Sequence, residues 1–290
     1  MIQAVLFAAF LADQTGPKTI ADISGIFTTW VARKVSCLTK FFEFVGQVTL
    51  FGLHAAARVS RPPFEVRQIW IQLKEIGSRS CALVTASGFA LGVVMTLHTR
   101  STLVAFGAEA MIPRAQSLAF FVEIGPLVTG LLVAGRGGSG IGAVLANMRA
   151  TEQIDAVEAL SIDSFKFLVV PRIVACVVAL PLLTMFMDFA GLIGGFCSEF
   201  ALSHLSLQLY FRRAFADMQL SNFIPPTLKT AVFGFIIGTV SSFFGYTTNE
   251  GADGVGRAAT NSVVVSSLLI ILVDVVLVKC IFLVFPGNSI

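Results

Sequence analysis

The stretch AGRGGSGIGAVLANMRATEQIDAVEALSID, Ala134 to Asp163, decides how the whole chain is read. Gly135, Gly137 and Gly140 fit G-x-G-x-x-G, and Asp155 follows about 20 residues on, where a dinucleotide-binding unit places its ribose ligand. That fingerprint has meaning only after a short buried strand and inside a βαβ unit. Here the preceding apolar run, Ser117–Gly135, has the length of a membrane span and carries Glu123 and Pro126; no second strand pattern follows. A phosphate loop fails as well, because no Lys-Ser/Thr pair follows the last glycine. The stretch therefore reads as a span exit, flexible at Gly135–Gly142 with Arg136 at headgroup level, leading into an amphipathic helix over 151–162. At about 100° per residue, Glu152, Asp155 and Glu158 share one arc, opposite Ile154, Val157, Leu160 and Ser161. Thr151 is the expected N-cap, with Glu152 in the first turn where negative charge suits the helix dipole. Periodicity leaves two readings level: a solvated helix lying on the protein's own cytoplasmic end, and a docking helix for a cytoplasmic partner.

The composition agrees with a membrane setting. The 290 residues are 56% hydrophobic and 13% charged, with mean hydropathy +0.85, against about 25% charged in soluble domains. A net charge of +3 without clustered Lys/Arg excludes a nucleic-acid binder. The five cysteines (Cys37, Cys81, Cys176, Cys197, Cys280) form no C-x-x-C, and His54, His98 and His204 lie far apart. The cysteines read as buried small hydrophobes rather than metal or disulfide chemistry. The N-terminus MIQAVLFAAFLADQTG lacks a basic flank, so a cleaved signal peptide is not expected.

Five runs reach the roughly 20 apolar residues a bilayer requires: Cys81–Leu97 (extending toward Phe106), Ser117–Gly135, Ile173–Cys197, Thr230–Tyr246 and Val263–Phe285. Most Lys/Arg residues fall in 1–80, in the 136–172 loop and at Arg257. Only Arg100, Arg114, Arg212, Arg213 and Lys229 fall on the other side. The positive-inside rule then places the N-terminus and the 136–172 loop in the cytoplasm. Residues 41–80 mix apolar and charged positions, with Pro62–Pro63 between two pieces. They read as helices lying in the interface, with a further short span over 41–57 as the alternative. Gly88/Gly92, Gly191/Gly195 and Gly234/Gly238 form G-x-x-x-G pairs, which favour close helix packing within a bundle or across a dimer.

At this point the residues carry a resemblance. VEIGPLVTGLLVAGRGGSGIGAVLANMRATEQIDAVEALSID, Val122–Asp163, closely resembles the signature of the MlaE (YrbE-type) permeases, membrane subunits of ABC transporters that move phospholipids. The related plastid lipid permease and the permeases of Mce systems share it. VVPRIVACVVALPLLTMF (Val169–Phe186), FFGYTTNEGADGVGRAAT and GADGVGRAATNSVVVSSLLIILVDVVL (Gly251–Leu277) match too, so the likeness covers about residues 40–285. Residues 1–40 are an extension of unknown role, too short for the STAS-like domain of some relatives.

The resemblance implies an all-α integral membrane protein: interfacial elbow helices over 41–80, then a five-span permease domain over 81–290, with a cytoplasmic coupling helix between the second and third spans. It implies a homodimer in the bacterial inner membrane, with the plastid inner envelope as the alternative, bound to two cytoplasmic ATPase subunits. An Mce-domain substrate-binding protein on the far side and a small STAS-like subunit are further implied partners. The chain would bind no cofactor, ATP and Mg belonging to the separate ATPase, and would be a transport subunit rather than an enzyme. The coupling residues would be Arg149, Thr151, Glu152, Ile154, Asp155, Val157, Glu158 and Leu160, the apolar ones buried in the ATPase and the acids facing its basic groups. Two departures weaken any headgroup site built from family arginines: Val122 precedes the acid of the E-[LI]-G-P motif, and Asn261 stands where some relatives have Arg, although Arg257 remains.

Within the spans, Glu123, Asp188, Asp274 and Lys279 are expensive unless paired or facing water. Glu123, beside the kink-prone Pro126, is expected either next to a lipid cavity, pairing with a cytoplasmic-side arginine, or in a contact that locks helices. Asp188 and Asp274 read as structural, and Lys279 as snorkelling. A phospholipid cavity should be mostly apolar, which suits Phe89, Leu91, Val93, Val94, Met95 and Leu97, with Arg100 able to meet a phosphate. The competing function is an ion-coupled secondary transporter using Glu123, Asp188 or Asp274. No inverted repeat supports it, and no clustered catalytic set supports an intramembrane enzyme.

Overall fold

Inside hydrocarbon a backbone must satisfy its own polar groups, so span-length apolar runs become helices. The computed structural model describes residues 39, 42–59, 65–216, 218, 220–248 and 251–284, and these contain helices and no strands. The expectations for residues 1–38 and for the Pro62–Pro63 break lie outside the described residues. The chain divides into two units, Met1–Phe51 and Gly52–Ile290. Helix α1 covers 42–59. Five longer helices have span length and apolarity: α2 (Val66–Ala105), α3 (Glu109–Ala150), α5 (Phe165–Ser203), α7 (Leu220–Tyr246) and α8 (Ala252–Val284). Two short helices lie between them, α4 (Gln153–Ala159) and α6 (Leu207–Ala214).

The interfacial stretch 65–80 and the first span are not separate elements. They form one helix of 40 residues, because no Gly or Pro breaker stands between Val66 and Cys81 apart from the well-tolerated Gly77. The glycine-rich exit is not a flexible segment either. The backbone passes from α-helix through a π-turn at Ala134–Gly138 straight into Ser139–Ala150. The small residues serve packing there: a Cβ on Gly138 would press on Ser241, and one on Gly142 would strike Ser262, so α7 and α8 approach α3 closely. Of the cysteines, Cys176 is buried, but Cys197 and Cys280 are exposed, contrary to the expectation.

Each G-x-x-x-G pair marks a crossing inside the chain. A Cβ on Gly92 would run into the Gly191 carbonyl, and one on Gly88 would meet the Met187 carbonyl, so α2 and α5 touch backbone to backbone. Gly234 and Gly238 do the same for α7 against Cys176 and Ile173 of α5. Such contact compensates for the missing hydrophobic drive between helices in lipid.

Gln116 of α3 ties that crossing to its neighbours. Its amide donates to the carbonyls of Gly92 (3.1 Å) and Gly191 (3.3 Å), while Thr96 and the Tyr210 hydroxyl (3.2 Å) donate to its oxygen. Burial first, and then Glu199 nearby, push the Tyr210 phenol above its ordinary range, which keeps it a donor. Gln116→Leu should therefore destabilise the folded protein by about 2 kcal/mol, as buried polar partners lose their bonds. Thermal unfolding in detergent with Gln116→Glu and Gln116→Leu side by side checks this; an unchanged melting temperature for Leu would remove Gln116 as a structural node.

Candidate functional site

The most charged part of the interior sits where α3 departs from α-helical geometry. Residues Phe120–Ile124 form a π-turn, and Pro126 follows within the first turn of the next α-helical segment. Pro126 cannot donate a backbone hydrogen bond, and π-turns often mark functional positions. Here the distortion presents Glu123 to Lys229 of α7. The ammonium lies 2.9 Å from the Glu123 carboxylate and 2.9 Å from that of Asp274 on α8. Lys229 and Asp274 are buried, but the Glu123 side chain keeps 40% of its surface. One cation thus holds two anions, the three groups coming from three helices, and one anion remains accessible.

This corrects the sequence reading in two respects. Lys229 is not a loop cation but a buried residue of α7. Glu123 pairs with it and not with an arginine near the α4 end. The helix extends ten residues before the expected start at Thr230, and Pro225 and Pro226 lie within it. Asp188 on α5 is also fully buried, its two oxygens make no hydrogen bond to a described residue, and it lies against Gly125, where any Cβ would collide with its carboxyl group.

A second constellation lies at the end of α3. Thr151 does not cap the next helix; its hydroxyl bonds back to the Asn147 carbonyl (2.9 Å). Glu152 takes the preceding position in a left-handed conformation (φ 57°), and α4 begins only at Gln153. The turn is held by Arg149, which pairs with Asp155 at 2.7 Å. Glu158 accepts from Ser164 (2.5 Å) and from Tyr246 (3.2 Å), linking α4 to the ends of α5 and α7. Ile154 is fully buried in the chain's own core, so it does not offer a surface to a partner. Glu152 and Leu160 do, Leu160 being 73% exposed, and Val157 is half-buried. The acidic arc is partly spent inside the chain, at Asp155 and Glu158.

The cavity candidates separate. Leu91 packs against the main core, and Pro126 is buried. Val94 and Leu97 are exposed on α2, and Met95 is half-buried. An apolar groove of about 610 Å³ lies between Ala82, Thr85, Ala86 and Phe89 of α2 and Ala190 and Ile193 of α5. Arg100 is not a free phosphate ligand: it binds Glu199 through both carboxylate oxygens (2.9 and 3.2 Å) and also reaches Ser203. Arg257 and Asn261 line one pocket of about 320 Å³ with Thr247 and Thr248, so the retained arginine and the position where some relatives have Arg face the same space. Lys279 is exposed. The residues the sequence reading missed are Lys229, Gln116 and Glu199. Each is a polar group within a long apolar helix, and that was the available signal.

The family model for Permease MlaE matches residues 69–280. A probable ABC transporter permease protein of Rickettsia felis is 37% identical over 243 residues, covering 84% of this chain and 94% of its own. A probable ABC transporter permease protein of Synechocystis is 33% identical over 241 residues, covering 83% and 88%. The Arabidopsis thaliana protein called trigalactosyldiacylglycerol 1, chloroplastic, is 30% identical over 232 residues, covering 80% of this chain and 64% of its own.

Proposed function

The chain belongs to the MlaE permease family, and we propose that this permease subunit moves phospholipid or a related lipid, driven by ATP hydrolysis in a separate subunit docked at α4. The observation that carries the docking assignment is the way α4 is held. It follows α3 after a two-residue turn, and Arg149–Asp155, Glu158–Ser164 and Glu158–Tyr246 bind it to three membrane helices at once. A push on α4 is therefore delivered to α3, α5 and α7 together, the linkage that coupling demands.

The lipid assignment rests on the family resemblance, on the lipid in the name of the Arabidopsis relative, and on the apolar groove between α2 and α5. In this reading the chain works as a homodimer in the bacterial inner membrane, with its N-terminus and α4 cytoplasmic, and an Mce-type protein meets the far side. The accessible Glu123 carboxylate lies at the rim of the buried Lys229 pair, where a lipid passing between helices would meet its first charge.

Purification in mild detergent followed by lipid mass spectrometry tests the substrate. Co-purifying phospholipid, with an ATPase chain at equal stoichiometry, is the expected result. A chain that purifies without lipid and without an ATPase would contradict the proposal. Glu123→Gln should leave stability within about 1 kcal/mol, because Asp274 still balances Lys229, while lowering the lipid transfer rate; unchanged transfer would remove Glu123 from the lipid path.

A further inference from the structure

Three spans place an arginine at their α4-side boundary. Arg79 stands just before the apolar run of α2, Arg136 just after that of α3, and Arg172 just before that of α5. The structure brings all three into one groove of about 380 Å³, together with Gln72, Glu75 and Gly140. Gly140 leaves the wall open, since a Cβ there would meet nothing within 4 Å. Arg172 is more than nine-tenths buried, and its hydrogen bond is to the Leu168 carbonyl through one guanidinium nitrogen. Arg136 is exposed and makes no ion pair with a described residue. Arg79 holds Glu75 in an exposed i,i+4 pair, a weak contact that an anion can replace.

We infer that this groove binds the phosphate of an anionic phospholipid drawn from the α4-side leaflet, as a site separate from the path of the transported molecule. A buried cation such as Arg172 is costly without an anion beside it, and guanidinium forks match phosphate oxygens. Basic pockets between membrane helices at this depth suit lipid headgroups. Ile71 on the α2 wall and Val144 on the α3 wall are exposed apolar side chains, placed to meet glycerol and the first methylenes rather than a freely dissolved phosphate. Two of the glycines that imitate a nucleotide fingerprint, Gly137 and Gly140, would thus line a phosphate site after all, one for a lipid. The inference depends on the spans lying in a bilayer but not on which lipid is transported.

The test is native mass spectrometry of the full chain with its co-purifying subunits, titrated with phosphatidylglycerol or phosphatidylcholine. Wild type should bind phosphatidylglycerol at least roughly tenfold more tightly. Arg79→Gln with Arg136→Gln should erase that preference at unchanged melting temperature, whereas Arg67→Gln, exposed outside the groove, should keep it. Glycerol 3-phosphate at millimolar concentration should not displace the lipid. Equal binding of the two lipids by wild type, or an undiminished preference in the double variant, would overturn the site. Full displacement by glycerol 3-phosphate would assign the groove to a soluble phosphate ester and overturn the lipid.

Discussion

Lys229→Met should be among the most damaging single changes in this protein. It leaves Asp274 buried and Glu123 beside it, two carboxylates without their shared cation. Removing one partner of a buried ionic group costs about 3–5 kcal/mol, a large part of the stability of most folded proteins. The expected observation is a marked fall in folded yield and in melting temperature in detergent. A compensated variant separates charge from packing. Lys229→Met with Glu123→Gln and Asp274→Asn removes every charge together, and stability should largely return, since apolar or neutral replacements of a whole buried ionic group are often tolerated. Transport should not return with it, if Glu123 meets the lipid. A triple variant as unstable as the single one would show that Lys229 acts through packing and not through charge.

The second large effect belongs to the α2–α5 crossing. Gly92→Val places a branched side chain where the Gly191 carbonyl already stands, and backbone cannot move aside as a flexible side chain can. Overpacking of this kind costs about 3 kcal/mol, and more where no relaxation path exists. The crossing also carries the Gln116 bonds to Gly92 and Gly191, so the change should disrupt these at once. Gly46→Val and Gly135→Val serve as controls, because nothing lies within 4 Å of a Cβ at either position. Unfolding curves for the three variants would show one large shift and two small ones; equal shifts would mean that glycine content, and not this contact, governs stability.

The five spans were legible because length and apolarity alone decide them, and the glycine pairs were legible as close-packing positions. Their partners were not, since spacing along one helix says nothing about which helix lies opposite. The start of α7 was missed because Pro225, Pro226 and Lys229 lower the apolar signal of its first turns, although Lys229 is satisfied by anions from elsewhere in the fold. The wheel for α4 placed Ile154 on the apolar face correctly, but a wheel cannot tell the chain's own core from a partner's surface. Thr151 had the chemistry of a cap; the left-handed backbone at Glu152 moved the helix start beyond it. Asp155 and Glu158 looked free because their partners, Arg149, Ser164 and Tyr246, come from other turns and other helices.

Docking at α4 requires its exposed side chains for association with the ATPase subunit. Glu152→Lys with Leu160→Asp changes two exposed side chains, so the melting temperature should move little, as surface substitutions shift stability by about 0.5 kcal/mol or less. Pull-down of the full-length variant from membranes should recover the permease without the ATPase, while wild type recovers both. Recovery of the ATPase in undiminished amount with the double variant would contradict the account and place the coupling surface elsewhere on the chain.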